Sequence, residues 1–399
     1  MQYCVCCNLI FVNKFSLEKS SQSKFFKEIC RNFLSLKYLL SLLLVLSGLT
    51  LAAQHNNGVL SDTTNFNYLS KNSVGIHINY FGYMRNTEYF NPIEAGRTLL
   101  GNQIVPSLIF KASDNVILRS GIFINHYFGS TKISGIMPLV SLIYPLKNSY
   151  FMFGTINGAT AHCMVEPLMN ISSAIEKRLE YGGQYQYSTS KLFADIWLNW
   201  QNYMPYKGEK HEEIVAGLNI NKGFYLFEKL KVNLPVQMII NHEGGQLSKD
   251  KSPQFTVFSG AAGISGSFIF NTDFNTSLNY YYCFSSNETN DVKNGYAHYS
   301  NLTLNFKDLS FIISYFNGQD FNAMSGTYIY QSVSHDKKNF YLENRELLFA
   351  RLLFNKRISD NLQISLRFEP YYDFSQEVFE HCYSLYLKYI WKNAFLTKK

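Results

Sequence analysis

The stretch from Asn301 to Tyr315, NLTLNFKDLSFIISY, alternates between apolar and largely polar side chains on both sides of a short corner. The corner is Lys307-Asp308, and the alternation stops there and resumes directly after it. Because successive side chains of a β-strand point to opposite faces, each arm has one apolar face and one largely polar face. Two arms joined by so short a corner pair antiparallel, so the stretch predicts a hairpin that is apolar on one side.

Runs of the same kind recur from Val74 to Trp391, and we count sixteen of them, with fourteen as the alternative. Their connections alternate between corners of about two to six residues and longer loops. An up-and-down membrane barrel, with short periplasmic turns and long outer loops, has this rhythm. The sequence therefore predicts an all-β fold, a transmembrane antiparallel up-and-down β-barrel with periplasmic termini. The long loops are predicted at residues 84–100, 128–134, 158–179, 205–212, 243–253, 286–297, 318–344 and 373–380.

The composition agrees with a barrel whose strands are apolar on one face only. Aromatic residues make up 16% of the chain and charged residues also 16%, while the mean hydropathy is only -0.12. A usual charged fraction is about 25%. A large soluble β-sandwich or propeller would also be rich in aromatic residues. The segregation of loops by length favours the barrel, because a sandwich has no reason for it.

The N-terminal part of the chain differs from the rest. A basic flank, an apolar core from Leu39 to Leu46 and small residues at Ala52 and Ala53 predict a secretory signal peptide. Residues 1–32 are interpreted as a spurious or disordered extension, and residues 33–53 as the signal peptide. Residues 54–72 are predicted to form a periplasmic tether, residues 73–392 the outer-membrane β-barrel, and residues 393–399 a C-terminal tail.

The net charge of +7 is concentrated in the same N-terminal part. Residues 1–53 contain six Lys or Arg and two Glu, a balance of +4, which leaves +3 for the remaining residues. Such a chain has no basic surface that would indicate nucleic acid. The cysteines show neither a zinc spacing nor a disulfide framework, so no metal and no cofactor are expected.

The loop from Gly158 to Glu180 departs from the alternation, because apolar residues recur there at helical spacing. Two readings remain open, namely a segment that folds inward and narrows the lumen, and a short helix on the outer rim. In the first reading the charged residues of this loop would face the passage. They are Glu166, Glu176, Lys177, Arg178 and Glu180.

Polar residues on the inner faces of the strands are predicted to line a water-filled lumen. Asparagine dominates among them, and charges of both signs occur, which indicates a hydrated interior without strong ion selectivity. The charged or central members of this set are Arg119, Asp195, Asn199, Lys231, Arg367, Glu369 and Lys388.

The segment His298-Tyr299-Ser300-Asn301 resembles the His-x-Ser pair of outer-membrane phospholipase and deacylase barrels. In that resemblance, the histidine activates the serine for acyl transfer. His298 and Ser300 share the apolar, lipid-facing side of their strand, near its outer end. The position that is glycine in the phospholipase motif is Leu302, and no third orienting residue is identified. His298 and Ser300 are therefore kept as a remote catalytic alternative.

The chain as a whole resembles an outer-membrane β-barrel of the Bacteroidota type, porin-like in size. The resemblance depends on the Ala52-Ala53-Gln54 segment, the alternating strands and the terminal strand from Tyr383 to Trp391. The resemblance is architectural and names no family with a known substrate. From it, together with the polar lumen residues, we predict a channel for small polar solutes in the outer membrane, surrounded by membrane lipid, and not an enzyme. The alternatives are a receptor, adhesin or secretion-system barrel that acts through its long loops, and more remotely a lipid hydrolase.

Overall fold

A computed structural model describes residues 57–61, 66–245, 248–250, 252, 254–287 and 294–397 of the chain. These residues form one closed barrel of sixteen antiparallel strands, in which each strand pairs with its neighbours in sequence. The predicted N-terminal extension and signal peptide lie outside the described residues. The strands are β1 Ser73–Glu88, β2 Thr98–Ser113, β3 Val116–Tyr127, β4 Gly135–Pro145, β5 Ser149–Ile156, β6 Glu180–Ser188, β7 Leu192–Asn202, β8 Glu212–Phe227, β9 Leu230–Gly244, β10 Phe255–Ile269, β11 Phe274–Asn287, β12 Gly295–Phe306, β13 Leu309–Gln319, β14 Asn344–Arg357, β15 Leu362–Asp373 and β16 Val378–Thr397.

The pairing of β1 with β16 closes the barrel and confirms the predicted fold class and strand number. This last pair is long, and it runs from Glu88 opposite His381 to Ser73 opposite Thr397. Residues 393–397 of the predicted C-terminal tail thus continue β16, because β1 offers them a partner down to its first residue. The loop before β16 is also shorter than predicted, since only residues 374–377 separate it from β15.

The outer wall of the barrel is apolar. Side chains on alternate positions of the strands remain exposed although they are large and hydrophobic, which only a lipid environment makes favourable. The barrel is therefore of the outer-membrane type. No helix among the described residues is long and apolar enough to cross a membrane. Exposed outward-facing residues include Leu108, Phe110, Leu118, Ile122, Leu142, Phe151, Ile196, Leu234, Met238, Ile264, Leu278, Phe311, Leu352, Leu366 and Leu385.

The described residues of the predicted periplasmic tether, 57–61 and 66–72, lie inside the barrel. Val59 and Leu60 pack with Phe81 and Tyr386 of the inner wall in one buried apolar cluster, and Leu69 belongs to a second cluster. Polar contacts hold the same segment: Arg367 donates to Asn57 Oδ1 at 2.7 Å, and Lys388 donates to the carbonyl of Ser61. The segment is short, but its apolar residues are spaced so that they can be buried against the wall.

Two long loops enter the lumen from the opposite end. The loop between β5 and β6 contains a short 3₁₀ turn, Ala159–Ala161, and a four-residue helix, α1, Ser173–Glu176. The loop between β13 and β14 contains a second 3₁₀ turn, Tyr328–Tyr330. Their apolar residues pack with inward-facing aromatic rings of the wall in a buried cluster. The cluster includes Val165, Leu168, Tyr299, Phe316, Phe321, Ile329, Tyr330, Leu347, Phe349 and Tyr371.

The interior therefore differs from the water-filled lumen predicted from the sequence. The sequence allows two predictions for the loop from Gly158 to Glu180. The one in which the loop folds into the lumen matches the structure, since Leu168 and Ile175 are buried. The inner faces of the strands carry apolar side chains that would be exposed to water in an empty barrel. The loops fold inward because they cover these side chains.

Candidate active site on the lipid-facing wall

A group of polar side chains interrupts the apolar outer wall on strands β11 to β14. We call it the outer-wall cluster and define it as Tyr280, His298, Ser300, Tyr315 and Glu346. All five alternate in sequence with buried, inward-facing residues, so they point outward. They lie toward the end of the barrel that carries the long loops, because β12 begins at Gly295, directly after such a loop.

The strand register brings these residues together from four different strands. Ser300 lies directly between Tyr280 of β11 and Tyr315 of β13. One step closer to the loops, His298 lies opposite Asn317, which in turn lies opposite Glu346 of β14. Residues that are directly opposite on neighbouring strands have Cβ atoms about 5 Å apart. Glu346 is thus two strands away from His298 on the same face.

His298 is held by aromatic neighbours. Tyr280 Oη lies 2.7 Å from His298 Nδ1, and the ring of Tyr282 packs edge-on against the imidazole at a centroid distance of 5.6 Å. If the imidazole donates from Nδ1 to Tyr280 Oη, its Nε2 atom is left as an acceptor. That tautomer is the one in which a histidine acts as a base.

Tyr315 and Glu346 form the second contact of the cluster. Tyr315 Oη donates to Glu346 Oε1 at 2.6 Å, and the backbone N–H of Glu346 donates to Ser375 Oγ at 3.0 Å. A carboxylate on a lipid-facing wall is costly unless it is hydrogen-bonded. The contact with Tyr315 reduces that cost for the Glu346 carboxylate.

The arrangement has the parts of a serine acyl-transfer site. A serine hydroxyl is a weak nucleophile until a nearby base accepts its proton. His298 and Ser300 are two residues apart on one face, about 7 Å along the strand. Their lipid-facing position would expose a serine nucleophile to the ester bonds of a membrane lipid.

The lumen residues predicted from the sequence form networks and not a single constriction. Glu166 of the inward loop accepts from Arg351 at 2.8 Å and from the hydroxyl of Tyr330 at 2.9 Å. Arg351 also approaches Glu369 at 3.5 Å, and Glu369 contacts Arg85 at the same distance. This network connects the loop to the wall, so its charges are neutralised locally.

A second network is centred on His162, which the sequence analysis did not single out. Its Nδ1 lies 2.7 Å from Asp195 Oδ2 and its Nε2 lies 3.1 Å from Glu180 Oε2. The imidazole stacks on Trp197 at a ring-centroid distance of 3.7 Å. Burial alone would lower the pKa of His162, but the charge of Glu180 and the hydrogen bond to Asp195 raise it to about 9. The imidazolium form is therefore favoured in the folded protein.

This raised pKa predicts a pH-dependent stability. Because the folded-state pKa of about 9 is above the ordinary value of 6.5, the contribution of His162 is fully present below pH 6.5 and is lost as the pH rises through 9. The shift corresponds to a contribution on the order of 3 kcal/mol. We expect the free energy of unfolding in detergent micelles to fall by that amount between pH 6.5 and 9.

The matched variant for this measurement is His162→Gln, which keeps polar atoms but cannot be protonated. Its unfolding free energy should be lower at pH 6.5 and should change much less over the same pH range. An equal slope in both proteins would show that the pH dependence comes from other groups.

The other predicted lumen residues lie at different depths of the barrel. Arg178 is buried, donates to Gln103 and lies over the ring of Phe81. Glu176 is at the rim, where it pairs with Arg97 at 2.6 Å. The remaining residues are placed as follows: Lys177 near Gln201 at the rim, Asn199 accepting from the backbone of Tyr181, Arg119 donating to Ser107, Lys231 over the ring of Tyr225, and Arg367, Asp195, Glu369 and Lys388 in the contacts described above.

Sequence reasoning missed several residues of these networks. Arg351 is the single charged residue in the apolar run from Leu347 to Phe354, and it shares the parity of the buried Leu347 and Phe349. The alternation of the strand therefore predicts that it points inward. Arg345 has the same parity. His162 lies in an irregular loop, where no periodic signal indicates a partner. No group of three or more His, Cys, Asp or Glu within the described ranges could hold a metal ion.

Comparison with known families gives one match over most of the chain. A profile of the family described as lipid A 3′-O-deacylase-type matches residues 62–399. This match overturns the expectation that the chain is not an enzyme, because the family is one of deacylases. No curated protein matches the chain.

Solved structures with a similar arrangement are outer-membrane proteins of low sequence identity. A loop-deletion mutant of OmpT from Vibrio cholerae is 11% identical, with 80% of this chain and 99% of that chain covered and a TM-score of 0.49. OprD from Pseudomonas aeruginosa is 12% identical, with 85% and 98% covered and a TM-score of 0.47. OccAB3 from Acinetobacter baumannii is 10% identical, with 80% and 99% covered and a TM-score of 0.46.

Proposed function

The chain belongs to the lipid A 3′-O-deacylase-type family, and on that premise we propose that it hydrolyses an acyl ester of a lipid A-type glycolipid. The substrate lies in the outer leaflet, beside the barrel wall, with the long loops outside and the termini in the periplasm. The observation that carries this proposal is the position of His298 and Ser300 on the lipid-facing wall, with the imidazole held by Tyr280.

In this proposal Ser300 is the nucleophile and His298 is the general base. The Ser300 Oγ atom attacks the carbonyl carbon of the ester while its proton passes to His298 Nε2. The tetrahedral intermediate then collapses, and the sugar oxygen leaves with the proton from His298. A water molecule, deprotonated by the same imidazole, attacks the acyl-serine and releases the fatty acid. The serine is restored at the end.

Two further residues support the catalytic pair. Tyr280 accepts from His298 Nδ1–H and so fixes the tautomer whose Nε2 can take a proton. Glu346 lies two strands from His298 on the same face, so it bounds the cluster on the β14 side. Tyr315 donates to Glu346 and keeps its carboxylate in place.

A channel for small polar solutes is not part of this proposal. The N-terminal segment and two long loops occupy the lumen, and buried apolar clusters connect them to the wall. A filled lumen suits a protein that acts on its outer surface, since the barrel then serves as a rigid support. The receptor or adhesin alternative remains a prediction from the long loops.

The test is an assay with the refolded, full barrel in detergent micelles that contain purified lipid A. Mass spectrometry of the lipid after incubation should show loss of one ester-linked acyl chain and appearance of the free fatty acid. Unchanged lipid A, with the barrel folded as judged by heat-modifiable migration on gels, would contradict the proposal. A phospholipid substrate in a parallel reaction tests whether the glycolipid is preferred.

Replacing Tyr280 with phenylalanine tests how the imidazole is oriented. The ring remains, but the hydroxyl that lies 2.7 Å from His298 Nδ1 is removed. We expect kcat to fall by about tenfold to a hundredfold with little change in KM, because orientation of the base affects the chemical step more than binding. Tyr282→Phe is the matched control, since that ring packs on His298 without a hydroxyl contact to it. Equal losses in both variants would contradict the role of the Tyr280 hydroxyl.

A further inference from the structure

The barrel wall has a gap on the side away from the outer-wall cluster. β4 pairs with β3 from Ile117–Ile143 up to Asn125–Gly135, but its pairing with β5 ends at Ser141–Gly154. Residues 135–140 of β4 therefore have a strand partner on one side only. We call the opening between these residues and the upper ends of β5 and β6 the notch. It lies in the half of the wall that is nearer to the long loops.

Glycine makes the kink that ends this pairing. Gly154 has a φ of +95°, a conformation that residues with a side chain rarely adopt. A Cβ atom there would lie 2.3 Å from the carbonyl oxygen of Val140, so no side chain fits. β5 turns away from β4 at this point and ends two residues later, at Ile156. The backbone conformation that Gly154 permits therefore bounds the notch on the β5 side.

An unpaired strand edge usually has free backbone N–H and C=O groups, but at the notch some of these groups on β4 have partners. The Val140 N–H donates to Thr155 Oγ1 at 3.1 Å, and Tyr181 Oη donates to the carbonyl of Pro138 at 3.1 Å. Pro138 has no N–H to satisfy, which is why proline is found on strand edges. From Pro138 to Val140, side chains and a proline thus take the place of a neighbouring strand. Such an edge tolerates hydrocarbon, in which unsatisfied backbone groups are costly.

A cavity of about 500 Å³ lies behind the notch, under the inward loops. Met137 of β4 and Phe123 of β3 line it on one side, and Met324 lines it from the loop between β13 and β14. Tyr181, whose hydroxyl donates to Pro138 of the notch edge, lines the cavity as well. The notch therefore borders the cavity through Met137 and Tyr181. The rest of the lining includes the charged residues Glu176, Lys177, Arg178, Glu180 and Glu213.

The flanks of the notch continue the apolar outer wall. Ile136 is 63% exposed, Val140 60% and Phe153 61%, which are among the highest values for strand residues of this barrel. In the membrane these side chains contact lipid. The entrance to the notch from the surrounding leaflet is therefore apolar.

We propose that the notch admits an acyl chain of an outer-leaflet lipid into this cavity. The occupant is hydrocarbon because the flanks of the notch and the lining residues Phe123, Met137 and Met324 are apolar. In addition, the N–H of Val140 and the carbonyl of Pro138 on the β4 edge already have partners. A peptide strand from another protein would need free backbone donors and acceptors along that edge. The site is separate from the outer-wall cluster, so the proposal does not depend on the deacylase activity.

Photocross-linking in lipid vesicles tests this assignment. A photoreactive amino acid in place of Met324 should form an adduct with the mass of a vesicle phospholipid. The same photoreactive amino acid in place of Ile196, which lies on the lipid-facing wall, is the positive control. In place of Phe316, which is buried against an intact part of the wall, it is the negative control. Absence of a lipid adduct at position 324, with a clear adduct at position 196, would overturn the proposal. A peptide adduct at position 324 in place of a lipid would overturn it as well.

A charge at the mouth of the notch should block entry. Val140→Arg is expected to reduce the adduct at position 324 by about tenfold, because a cationic side chain opposes hydrocarbon there. The adduct at position 196 should not change. Val140→Leu is the matched control, since it keeps the apolar flank, and it should leave both adducts as they are. An equal adduct at position 324 in the arginine and leucine variants would contradict passage through the notch.

Discussion

Ser300→Ala is expected to abolish deacylation of lipid A. Removal of the nucleophile of a serine acyl-transfer site reduces kcat by about 10⁴-fold or more, because the covalent step is lost and only binding and charge stabilisation remain. Lipid A incubated with the variant should keep all its acyl chains over a period in which the parent protein removes one. Mass spectrometry of the extracted lipid measures this directly. Folding of the barrel should be unaffected, since the hydroxyl is on the outer wall.

Thr276→Ala is the control for the serine variant. Thr276 is another lipid-facing hydroxyl on a neighbouring strand, and it donates to the carbonyl of Thr303 at 3.0 Å. We expect full activity from it. If Ser300→Ala kept the activity of the parent, the nucleophile would have to lie elsewhere, and the assignment of the outer-wall cluster would fail while the family membership would stand. His298→Ala separates these cases further, because it should be as inactive as the serine variant.

Arg345→Ala is expected to lower the free energy of unfolding by about 3–5 kcal/mol. Arg345 and Asp373 are both fully buried, and Arg345 donates to Asp373 Oδ2 and to the carbonyl of Ile329, each at 2.6 Å. Removing the arginine leaves the Asp373 carboxylate buried without its counter-charge. It also releases the inward loop that carries Ile329. Urea unfolding in micelles, followed by tryptophan fluorescence, measures the loss.

Two variants show whether the loss comes from the unpaired charge. In Arg345→Met with Asp373→Leu both charges are replaced by apolar groups, which is often neutral or stabilising for a buried pair, so most of the stability should return. Arg357→Ala removes an exposed arginine at the other end of β14 and should change stability by less than about 0.5 kcal/mol. A loss of similar size in Arg357→Ala would mean that net charge, and not the buried pair, is responsible.

The candidate catalytic pair was accessible from the sequence, but its surroundings were not. His298 and Ser300 are two residues apart, so their shared face follows from the period of a strand. Tyr280 and Glu346 come from other strands, and their approach to the pair depends on the register across β11 to β14. No third orienting residue could be identified before that register was known. A motif of four residues on one strand therefore could not distinguish a hydrolase from a channel.

The lumen shows the same division. Alternation predicts that a residue points inward, as it did for Asp195 and Arg367, but it does not say what fills the space in front of that residue. Polar inward residues can face water, or they can bind a loop of the same chain, as Arg367 binds Asn57. In the segment before β1, the apolar residues Val59, Leu60 and Leu69 indicate burial. The polar residues between them nevertheless led to the prediction of a periplasmic tether.

The amino-acid sequence by itself determined the strands, their number, the one-sided apolar character of the wall and the face on which His298 and Ser300 lie. Each of these depends on side chains that are near one another in sequence, because polarity that repeats every second residue assigns the faces of a strand locally. Only the tertiary structure decided that the barrel is filled, that four strands form the outer-wall cluster and that the wall opens beside β4. Those features depend on contacts between residues that are far apart in the chain, and a local pattern carries no information about such partners.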